Sequence, residues 1–455
     1  MKFILSGLLI TALSFSLNAQ QKGDSLFIKS IYNNALTESP AYENLRTLCK
    51  DIGARITGSA EAEMAIYWVK QLLESYDFDT VYLQEITVPH WERGTQEAAW
   101  IINEKGTLKK VDVIALGGSV GTNGVLEGEV IGVSGIDELE KIGRAKIEGK
   151  IVFVNKPFDQ TQISTFKAYG ACSNQRWGGA KEASKYGAKA VVIRSLAQSN
   201  DDHPHTGSMD YKMENKIPAA ALSTNAANTL LDWLKEGKVT LKLEMDCRFY
   251  KDEVSYNVIA ETYGKDDQVI TFGGHLDSWD VGEGAHDDGA GIIHSIEALR
   301  ILKQLNYRPK HKLRCVLFMN EENGNFGGKA YAKWCSDNKE KHICALESDR
   351  GGFQPLGYDV VGTDEQLKFV QSFKPLLEDY RLYNFEKGYG GVDIGPLMNY
   401  YPDILQLGLN PVSQRYFDFH HAETDVFENV NKRELELGGA SLATMVYLMD
   451  KYLIP

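Results

Sequence analysis

Acidic and histidine side chains crowd one glycine-rich segment, GGHLDSWDVGEGAHDDGAG, at residues 273–291. Its histidines and aspartates are His275, Asp277, Asp280, His286, Asp287 and Asp288. Carboxylates this close together repel one another, and burying them without a compensating positive charge is costly. The segment therefore indicates a bound cation, a basic partner or a solvated turn, and taken alone it leaves these three open.

Three later segments carry the same residue types, each after an apolar, strand-like run. KLRCVLFMN is followed by Glu321 and Glu322, HICALES leads to Asp349, and DILQLGL leads through a loop to His420, His421 and Asp425 in FHHAETD. Singly, these pieces are typical of surface loops, and Asp288 is typical of a helix cap. Because the carboxyl ends of parallel strands meet at one sheet edge, we expect them to converge there. Their conjunction favours a metal site.

The donor types narrow the choice of metal. Imidazole and carboxylate without thiolate suit zinc or a similar transition ion better than calcium. Asp287, Glu322 and Asp349 with one bridging hydroxide carry a formal charge of −4, which two divalent ions would cancel. Two ions about 3.5–4 Å apart polarise a carbonyl and lower the pKa of a bridging water. Glu321, beside a ligand, remains free to act as the base.

Alternating strands and helices must position these residues. From residue 255 onward, strand-like runs such as QVITFGG alternate with helical runs such as AGIIHSIEALRILKQL, and ELELGGASLATMVYLMDKYL closes the chain. Apolar strands alternating with helices predict an α/β fold, with a mainly parallel mixed sheet covered by helices on both faces.

In the first half of the chain, the predicted pattern of helices and strands changes at about residue 97. Residues 42–76 are predicted to be helical, and the strand DTVYLQEITVP follows. Between 97 and 250, short strands alternate with two helical stretches, GGAKEASKYGAKA and NAANTLLDWLKEG. We predict an inserted domain at 97–250, with the catalytic domain split between 20–96 and 251–455.

The N-terminal residues MKFILSGLLITALSFSLNAQ have the layout of a secretory signal peptide covering 1–19. Their apolar run is short for a membrane span, and no later run is apolar enough for one. We therefore expect a soluble mature chain that is secreted or periplasmic. The net charge of −13, without a long Lys/Arg run, argues against nucleic-acid binding.

Six cysteines permit up to three disulfides, whose pairing the sequence leaves open. Cys315 and Cys344 lie inside strand-like runs, where we expect buried free thiols. The spacing contains no CxxC pair, so a cysteine zinc site is not expected.

Taken together, GGHLDSWDVGEGAHDDGAG, NEENGNFGGKAYA, ESDRGGF and FHHAETD resemble the motifs of the two-zinc aminopeptidase-like metallopeptidases, in particular the carboxypeptidase Q (plasma glutamate carboxypeptidase) branch. VPHWERG, GKIVFVNKPF and HPHTG also resemble that branch. The resemblance extends over nearly the whole chain after the signal segment.

The resemblance implies a role for each site residue. It places His275 and Asp349 on one zinc, Glu322 and His421 on the other, and Asp287 between them. It makes Glu321 the general base and Asp277 a carboxylate that orients His275. His421 fits better than His420 because the family ligand lies four residues before an acid, here Asp425. Asp280 and His286 receive no role.

The resemblance also implies that the insertion is a lid of the protease-associated type. HPHTG either reaches over the site from this lid or is a surface loop. Two residues depart from the family pattern: Val426 replaces a common threonine, and Arg350 replaces a small residue. Arg350 would pair either with a substrate carboxylate or with a neighbouring acid.

The function implied is that of a di-zinc exopeptidase acting on short peptides, in particular dipeptides with a free N-terminus, through a metal-bridged hydroxide and the base Glu321. One alternative is an aminopeptidase that releases single residues from longer peptides. The other is a non-catalytic, receptor-like ectodomain on the same fold. Relatives in the branch suggest a homodimer.

Overall fold

The strands and helices are taken from a computed structural model that describes residues 22–210, 212 and 215–453. The strands, in chain order, are β1 (Thr80–Val88), β2 (Trp91–Glu92), β3 (Glu97–Asn103), β4 (Leu108–Val111), β5 (Val113–Ala115), β6 (Leu126–Val133), β7 (Ile151–Val154), β8 (Ala190–Arg194), β9 (Ala219–Leu222), β10 (Val239–Met245), β11 (Arg248–Phe249), β12 (Glu253–Thr262), β13 (Gln268–His275), β14 (Lys312–Phe318), β15 (Lys341–Glu347), β16 (Pro355–Val361), β17 (Asn384–Lys387) and β18 (Leu405–Pro411).

The α-helices are α1 (22–37), α2 (Ala41–Arg46), α3 (Ala60–Ser75), α4 (Glu138–Ile142), α5 (Arg144–Ile147), α6 (Thr165–Cys172), α7 (Asn174–Lys185), α8 (Thr224–Glu236), α9 (Ala290–Gln304), α10 (Phe326–Asp337), α11 (Asp364–Gln371), α12 (Lys374–Leu377), α13 (Tyr416–Phe419) and α14 (Lys432–Tyr452). Short π-helical turns cover Thr47–Ile52 and Ala285–Gly289, and 3₁₀ turns cover Glu378–Tyr380, Gly395–Asn399 and Phe427–Asn429.

The first sheet has the strand order β1-β12-β14-β13-β15-β18-β16-β17. Its central strands β14, β13, β15 and β18 are parallel, while β1 and β12 pair antiparallel at one side. Successive side chains point to opposite faces: Val258 and Ala260 pack with α3, α9 and α14, whereas Ile259 packs with α10. The predicted α/β class, with helices on both faces of a mixed sheet, is confirmed.

The second sheet lies entirely within residues 97–245 and has the order β4-β3-β10-β6-β7-β8-β9-β5. Its strands β6, β7, β8 and β9 are parallel, and it has apolar cores of its own on both faces. We call residues 97–250 the insertion, and the boundaries of this unit remain a prediction. The small β2–β11 ribbon lies where the chain enters and leaves it.

The helical prediction for residues 42–76 is only partly correct. The chain leaves the helix between residues 53 and 59, where Gly53 and Gly58 have φ values of +93° and +94°. Such positive φ values favour glycine and end regular helix. The break carries Arg55 into the candidate site. The helix at 22–37 and the short helices α4, α5 and α6 were also missed.

All six cysteines are free and buried, as predicted for Cys315 and Cys344, and none of them forms a disulfide. No helix in the described part of the chain combines the length and apolar character that a bilayer crossing requires. The predicted signal peptide at 1–19 lies outside the described residues.

Candidate metal centre

The residues predicted as metal ligands lie together at the carboxyl edge of the first sheet. His275 ends β13, Glu322 follows β14, Asp349 follows β15, and the loop after β18 brings in His421. Asp287 lies in the π-helical turn just before α9. Four of the five are buried, and Asp349 is partly exposed towards a cleft. The convergence expected for parallel strand ends therefore occurs.

Asp287 lies between two groups of donors. Its Oδ1 is 3.2 Å from His275 Nε2, which is 3.4 Å from Asp349 Oδ1. Its Oδ2 is 3.3 Å from His421 Nε2, which is 3.1 Å from Glu322 Oε2. One carboxylate oxygen thus serves each group, as a bridging ligand requires.

The spacing and chemistry of these donors fit two zinc ions. Two ligand atoms bound tetrahedrally at 2.0–2.1 Å from one zinc lie about 3.3 Å apart, and the separations within each group range from 3.1 to 3.4 Å. Asp287 Oδ2 and Glu322 Oε1 are buried and have no hydrogen-bond partner among the described residues. Buried carboxylate oxygens without partners call for a cation.

Without metal ions, His421 and the neighbouring carboxylates shift one another's pKa values. Burial lowers the pKa of His421, but Glu322 and Asp287 outweigh it and raise that pKa to about 9. Burial and Asp287 raise the pKa of Glu322 to about 7, against the opposing effect of His421. These upward shifts show that the cluster favours positive charge next to its carboxylates, which bound metal ions would supply.

Glu321 adjoins this cluster and lines the cleft. Burial raises its pKa well above the usual range, His275 acts in the opposite direction, and Asp349 and Glu322 raise it further. A raised pKa makes a carboxyl group hold a proton more readily, and a general base must accept a proton and later return it. Its predicted role is compatible with this position.

His420 is a weaker candidate ligand than His421. Its Nε2 lies 3.6 Å from Asp287 Oδ2, and its ring stacks on that of His421 at 3.5 Å. Tyr169 and Phe417 pack around it, and burial together with His421 holds its pKa well below the usual value. His420 thus serves as a neutral packing partner of His421.

Asp277 supports the site differently from the prediction. Its carboxylate is 3.8 Å from His275 Nδ1, whereas its backbone carbonyl accepts from that nitrogen at 2.9 Å. The carboxylate instead accepts backbone N–H groups of Asn320, Glu321 and Glu322 at 2.7, 3.1 and 3.2 Å. Asp277 therefore orients His275 through its backbone and fixes the Glu321–Glu322 turn through its side chain.

Other parts of the chain anchor the loop at 273–291. The buried Arg55 guanidinium donates to the carbonyl oxygens of Leu276, Glu283 and Gly284 at 2.7–3.1 Å. Asp425 accepts the backbone N–H groups of His286 and Asp287 at 2.7 and 3.0 Å. The ends of the loop are thus held from the N-terminal segment and from the His421 segment.

The remaining polar residues of the loop have structural partners. Asp288 accepts the N–H groups of Gly291 and His275, each at 3.1 Å, whereas the N-cap residue of α9 is Gly289 rather than the predicted Asp288. Asp280, left without a role by the sequence, forms a two-pronged ion pair with Arg93 at 2.6 and 2.9 Å. His286 uses both ring nitrogens on backbone groups of Gly352 and Asn429, so it is not a ligand.

The HPHTG segment reaches the metal centre from the insertion. Thr206 N–H donates to the carbonyl of His421 at 2.9 Å, and His421 Nδ1 lies 3.3 Å from the Thr206 carbonyl. His205 Nδ1 lies 2.6 Å from the carbonyl of His420. A ligand imidazole whose other nitrogen donates to a carbonyl is held in the tautomer that leaves Nε2 free for metal. The structure therefore favours the interpretation in which HPHTG reaches over the site, rather than the one in which it is a surface loop.

Two acids of the cluster were not predicted. Glu347 accepts backbone N–H groups of Val392, Asp393 and Ile394 at 2.7–3.0 Å, which shapes the loop carrying Asp393. Asp393 is buried and neither of its oxygens has a hydrogen-bond partner in the described chain. Burial, with Glu347, raises its pKa well above the usual range. The only cue in the sequence was its glycine-rich context, GYGGVDIG.

A cleft of about 1290 Å³ lies in front of the metal centre, between the first sheet and the insertion. Phe166 and Arg176 of the insertion line it opposite Glu321 and Asp349. Arg350 donates to Asp359 at 2.8 Å and to the Tyr389 carbonyl at 2.7 Å. Arg350 therefore pairs with a neighbouring acid, which was one of the two alternatives.

The comparisons with known proteins agree with this geometry. Residues 257–446 match the sequence profile of peptidase family M28. Carboxypeptidase Q of Bos taurus is 34% identical over 93% of this chain and 88% of that protein, and its Homo sapiens counterpart is 33% identical over 92% and 88%. A peptidase M28 precursor from Shewanella amazonensis SB2B superposes with a TM-score of 0.90, 30% identity and coverage of 95% and 98%. A zinc aminopeptidase from Bacillus subtilis shares the fold, with a TM-score of 0.64, 20% identity and coverage of 90% and 94%.

Proposed function

The chain belongs to peptidase family M28 and is a metallopeptidase, and we propose that it is a two-zinc exopeptidase that hydrolyses dipeptides with a free N-terminus. The family membership confirms the resemblance drawn from the motifs. The observation that carries the proposal is Asp287, whose two oxygens each approach one histidine–carboxylate pair. Solved relatives that include a zinc aminopeptidase support zinc as the metal.

His275 and Asp349 would hold one zinc, Glu322 and His421 the other, and Asp287 both. The chemistry that two zinc ions supply in such a site is polarisation of the scissile carbonyl and acidification of a water. Glu321 would take the proton of the attacking water and deliver it to the leaving amine nitrogen. Asp277 keeps Glu321 and Glu322 in register by accepting their backbone N–H groups.

The cleft has room for a short peptide. Its volume of about 1290 Å³ exceeds the 300–1,000 Å³ typical of small-ligand sites, so a dipeptide fits within it. The alternative, release of single residues from longer peptides, needs the cleft to admit a chain beyond the second residue. The presence of all five proposed ligands and of Glu321 in the sequence argues against the receptor-like alternative, whose signature would be the loss of ligands.

The test compares substrates of different length with a matched pair of variants. We expect the purified protein to hydrolyse Ala-Ala with a higher kcat/KM than tetra-alanine. Glu321→Gln should lower kcat by roughly 10²- to 10⁴-fold, the usual contribution of a general base. Glu386→Gln, which neutralises an exposed acid lining the same cleft, is the control and should keep full activity.

Full activity of Glu321→Gln would contradict the role of this residue. A higher kcat/KM for tetra-alanine would favour the aminopeptidase alternative. Failure of the wild-type protein to cleave either peptide would overturn the proposed function.

Secretion and a homodimer also belong to this proposal. Sequencing the N-terminus of the protein recovered from its native host should find residues 1–19 removed, and sedimentation of the purified protein should give twice the mass of one chain.

A further inference from the structure

Arg176 extends from α7 of the insertion to the metal centre. It lines the cleft, and its Nη1 lies 3.2 Å from Nδ1 of His421. No sequence motif drew attention to it, and the chemistry assigned above does not use it. A guanidinium this close to a metal-ligand histidine needs an explanation, because a second cation beside metal ions is unfavourable unless an anion binds there.

The guanidinium lacks a strong acceptor of its own. It forms no salt bridge with any residue that the structure describes, and its buried Nε has no hydrogen-bond partner there. His421 cannot serve as the acceptor once Nε2 binds metal, because Nδ1 then carries the hydrogen and faces the Thr206 carbonyl at 3.3 Å. Arg176 therefore retains unused donors at the cleft.

Tyr169 accepts a hydrogen bond from the guanidinium and holds it in place without neutralising it. The Arg176 Cζ lies 5.6 Å from the centre of the Tyr169 ring. Burial raises the pKa of Tyr169 to about 12, against the opposing effect of Arg176, so the phenol is neutral at physiological pH. The positive charge thus remains available to an anion that enters the cleft.

Three of the other four cations that line this cleft are already engaged, and the fourth, Lys167 of α6, is exposed to solvent. Arg350 is bound to Asp359, and Lys387 pairs with Asp364. Lys329 donates to the Gly324 carbonyl at 2.7 Å. Arg176 is distinguished from these residues by its contact with His421, and among the described residues no carboxylate pairs with it.

The position of Arg176 matches the size of a dipeptide. Consecutive Cα atoms are 3.8 Å apart, so the C-terminal carboxylate of a dipeptide lies within about 5 Å of the scissile carbonyl. Each further residue moves that carboxylate away by about 3.5 Å. A cation one imidazole ring away from the metal-binding nitrogen of His421 can therefore contact the carboxylate of a dipeptide next to the scissile bond.

We propose that Arg176 binds the C-terminal carboxylate of the substrate and thereby makes the enzyme selective for dipeptides with a free C-terminus. This inference rests on the proposed function and specifies its substrate class. The planar fork of arginine suits a carboxylate, to which it donates two parallel hydrogen bonds. The selectivity would come from the insertion rather than from the metal-binding domain.

The experiment measures kcat and KM for Ala-Ala and for Ala-Ala amide, which differ only in the C-terminal charge. The wild-type protein should prefer Ala-Ala. Arg176→Gln should lower kcat/KM for Ala-Ala by roughly 10- to 100-fold, mostly through KM, because a charged hydrogen bond present in both ground and transition states is lost. The same variant should change kcat/KM for the amide by less than about threefold, and Arg176→Lys should recover part of the preference.

Lys167→Gln is the matched control, since it removes one positive charge from the same cleft without touching His421. It should leave the preference for Ala-Ala intact. A binding measurement with Glu321→Gln as the background gives a second readout that needs no turnover: adding Arg176→Gln should weaken calorimetric binding of Ala-Ala but not of Ala-Ala amide.

Equal kcat/KM for the two substrates in the wild-type protein would overturn the role of Arg176 while leaving the proposed peptidase function standing. An equal loss of kcat/KM for both substrates in Arg176→Gln would also overturn the role of Arg176, because it would show that Arg176 only supports His421. Absence of hydrolysis of either substrate by the wild-type protein would overturn the proposed function and this inference together.

Discussion

The two sheets of this protein have similar architecture and very different edges. Each has parallel strands covered by helices, and each presents the carboxyl ends of those strands along one edge. In the first sheet the strands end in buried carboxylates and imidazoles. In the second, β7, β8 and β9 are followed directly by Asn155, Ser195 and Ser223. The fold therefore supplies an edge, and the residue types decide whether it carries chemistry.

The edge of the second sheet has a supporting role. Ser195 donates to the Leu222 carbonyl at 2.7 Å and accepts the N–H of His205 at 2.8 Å. Through His205 and Thr206 it holds the backbone of the His420–His421 segment. One edge would thus bind the metals while the other positions one of their ligands.

Asp277→Asn should have the largest effect of the substitutions that distinguish these edges. The amide would present N–H groups to the backbone donors of Asn320, Glu321 and Glu322, and the ligand turn would shift. We expect zinc affinity to fall roughly 10- to 100-fold, as for other residues that orient metal ligands. Chelator competition measures this, and Asp210→Asn in the insertion is the control. An unchanged affinity would contradict the role of Asp277.

His205→Ala should have a smaller effect, confined to the ion held by His421. It removes the donor to the His420 carbonyl and loosens the segment that fixes His421. We expect affinity for one zinc to fall about tenfold. His205→Asn retains a donor near the position of Nδ1 and should recover most of the loss. If both variants bind zinc like the wild type, the insertion does not position His421.

Ser223→Ala should have the smallest effect, because this residue acts only as a helix cap. Its Oγ accepts the N–H of Ala226 at 3.1 Å at the start of α8. Loss of such a cap costs about 1 kcal/mol of the free energy of unfolding, which urea denaturation followed by circular dichroism can measure. Its kcat/KM should equal that of the wild type, and a large loss of activity would mean that the second edge takes part in the chemistry.

The sequence predicted where the candidate ligands meet more completely than what supports them. The parallel-sheet rule brings the strand ends that carry His275, Glu322 and Asp349 to one edge, whereas the choice of Asp287 and His421 as ligands came from the family resemblance. Asp393 has no such signal, because it lies on a loop that Glu347 shapes through backbone N–H groups.

Residues that reach the site from distant parts of the chain were also missed. Arg55 lies where two glycines break a helical pattern, and Arg176 lies on a helix of the insertion. Their contacts depend on how the insertion and the N-terminal segment pack against the first sheet. Periodicity and motif spacing describe local structure and carry no information about such packing.

The zinc content of the purified chain tests the central claim most directly. We predict two zinc ions per wild-type chain, and one ion each in His275→Ala and His421→Ala, because the two histidines lie in different donor groups. Measurement by inductively coupled plasma mass spectrometry gives the ratio. A single zinc in the wild-type protein, or two zinc ions retained in either variant, would contradict the two-metal centre.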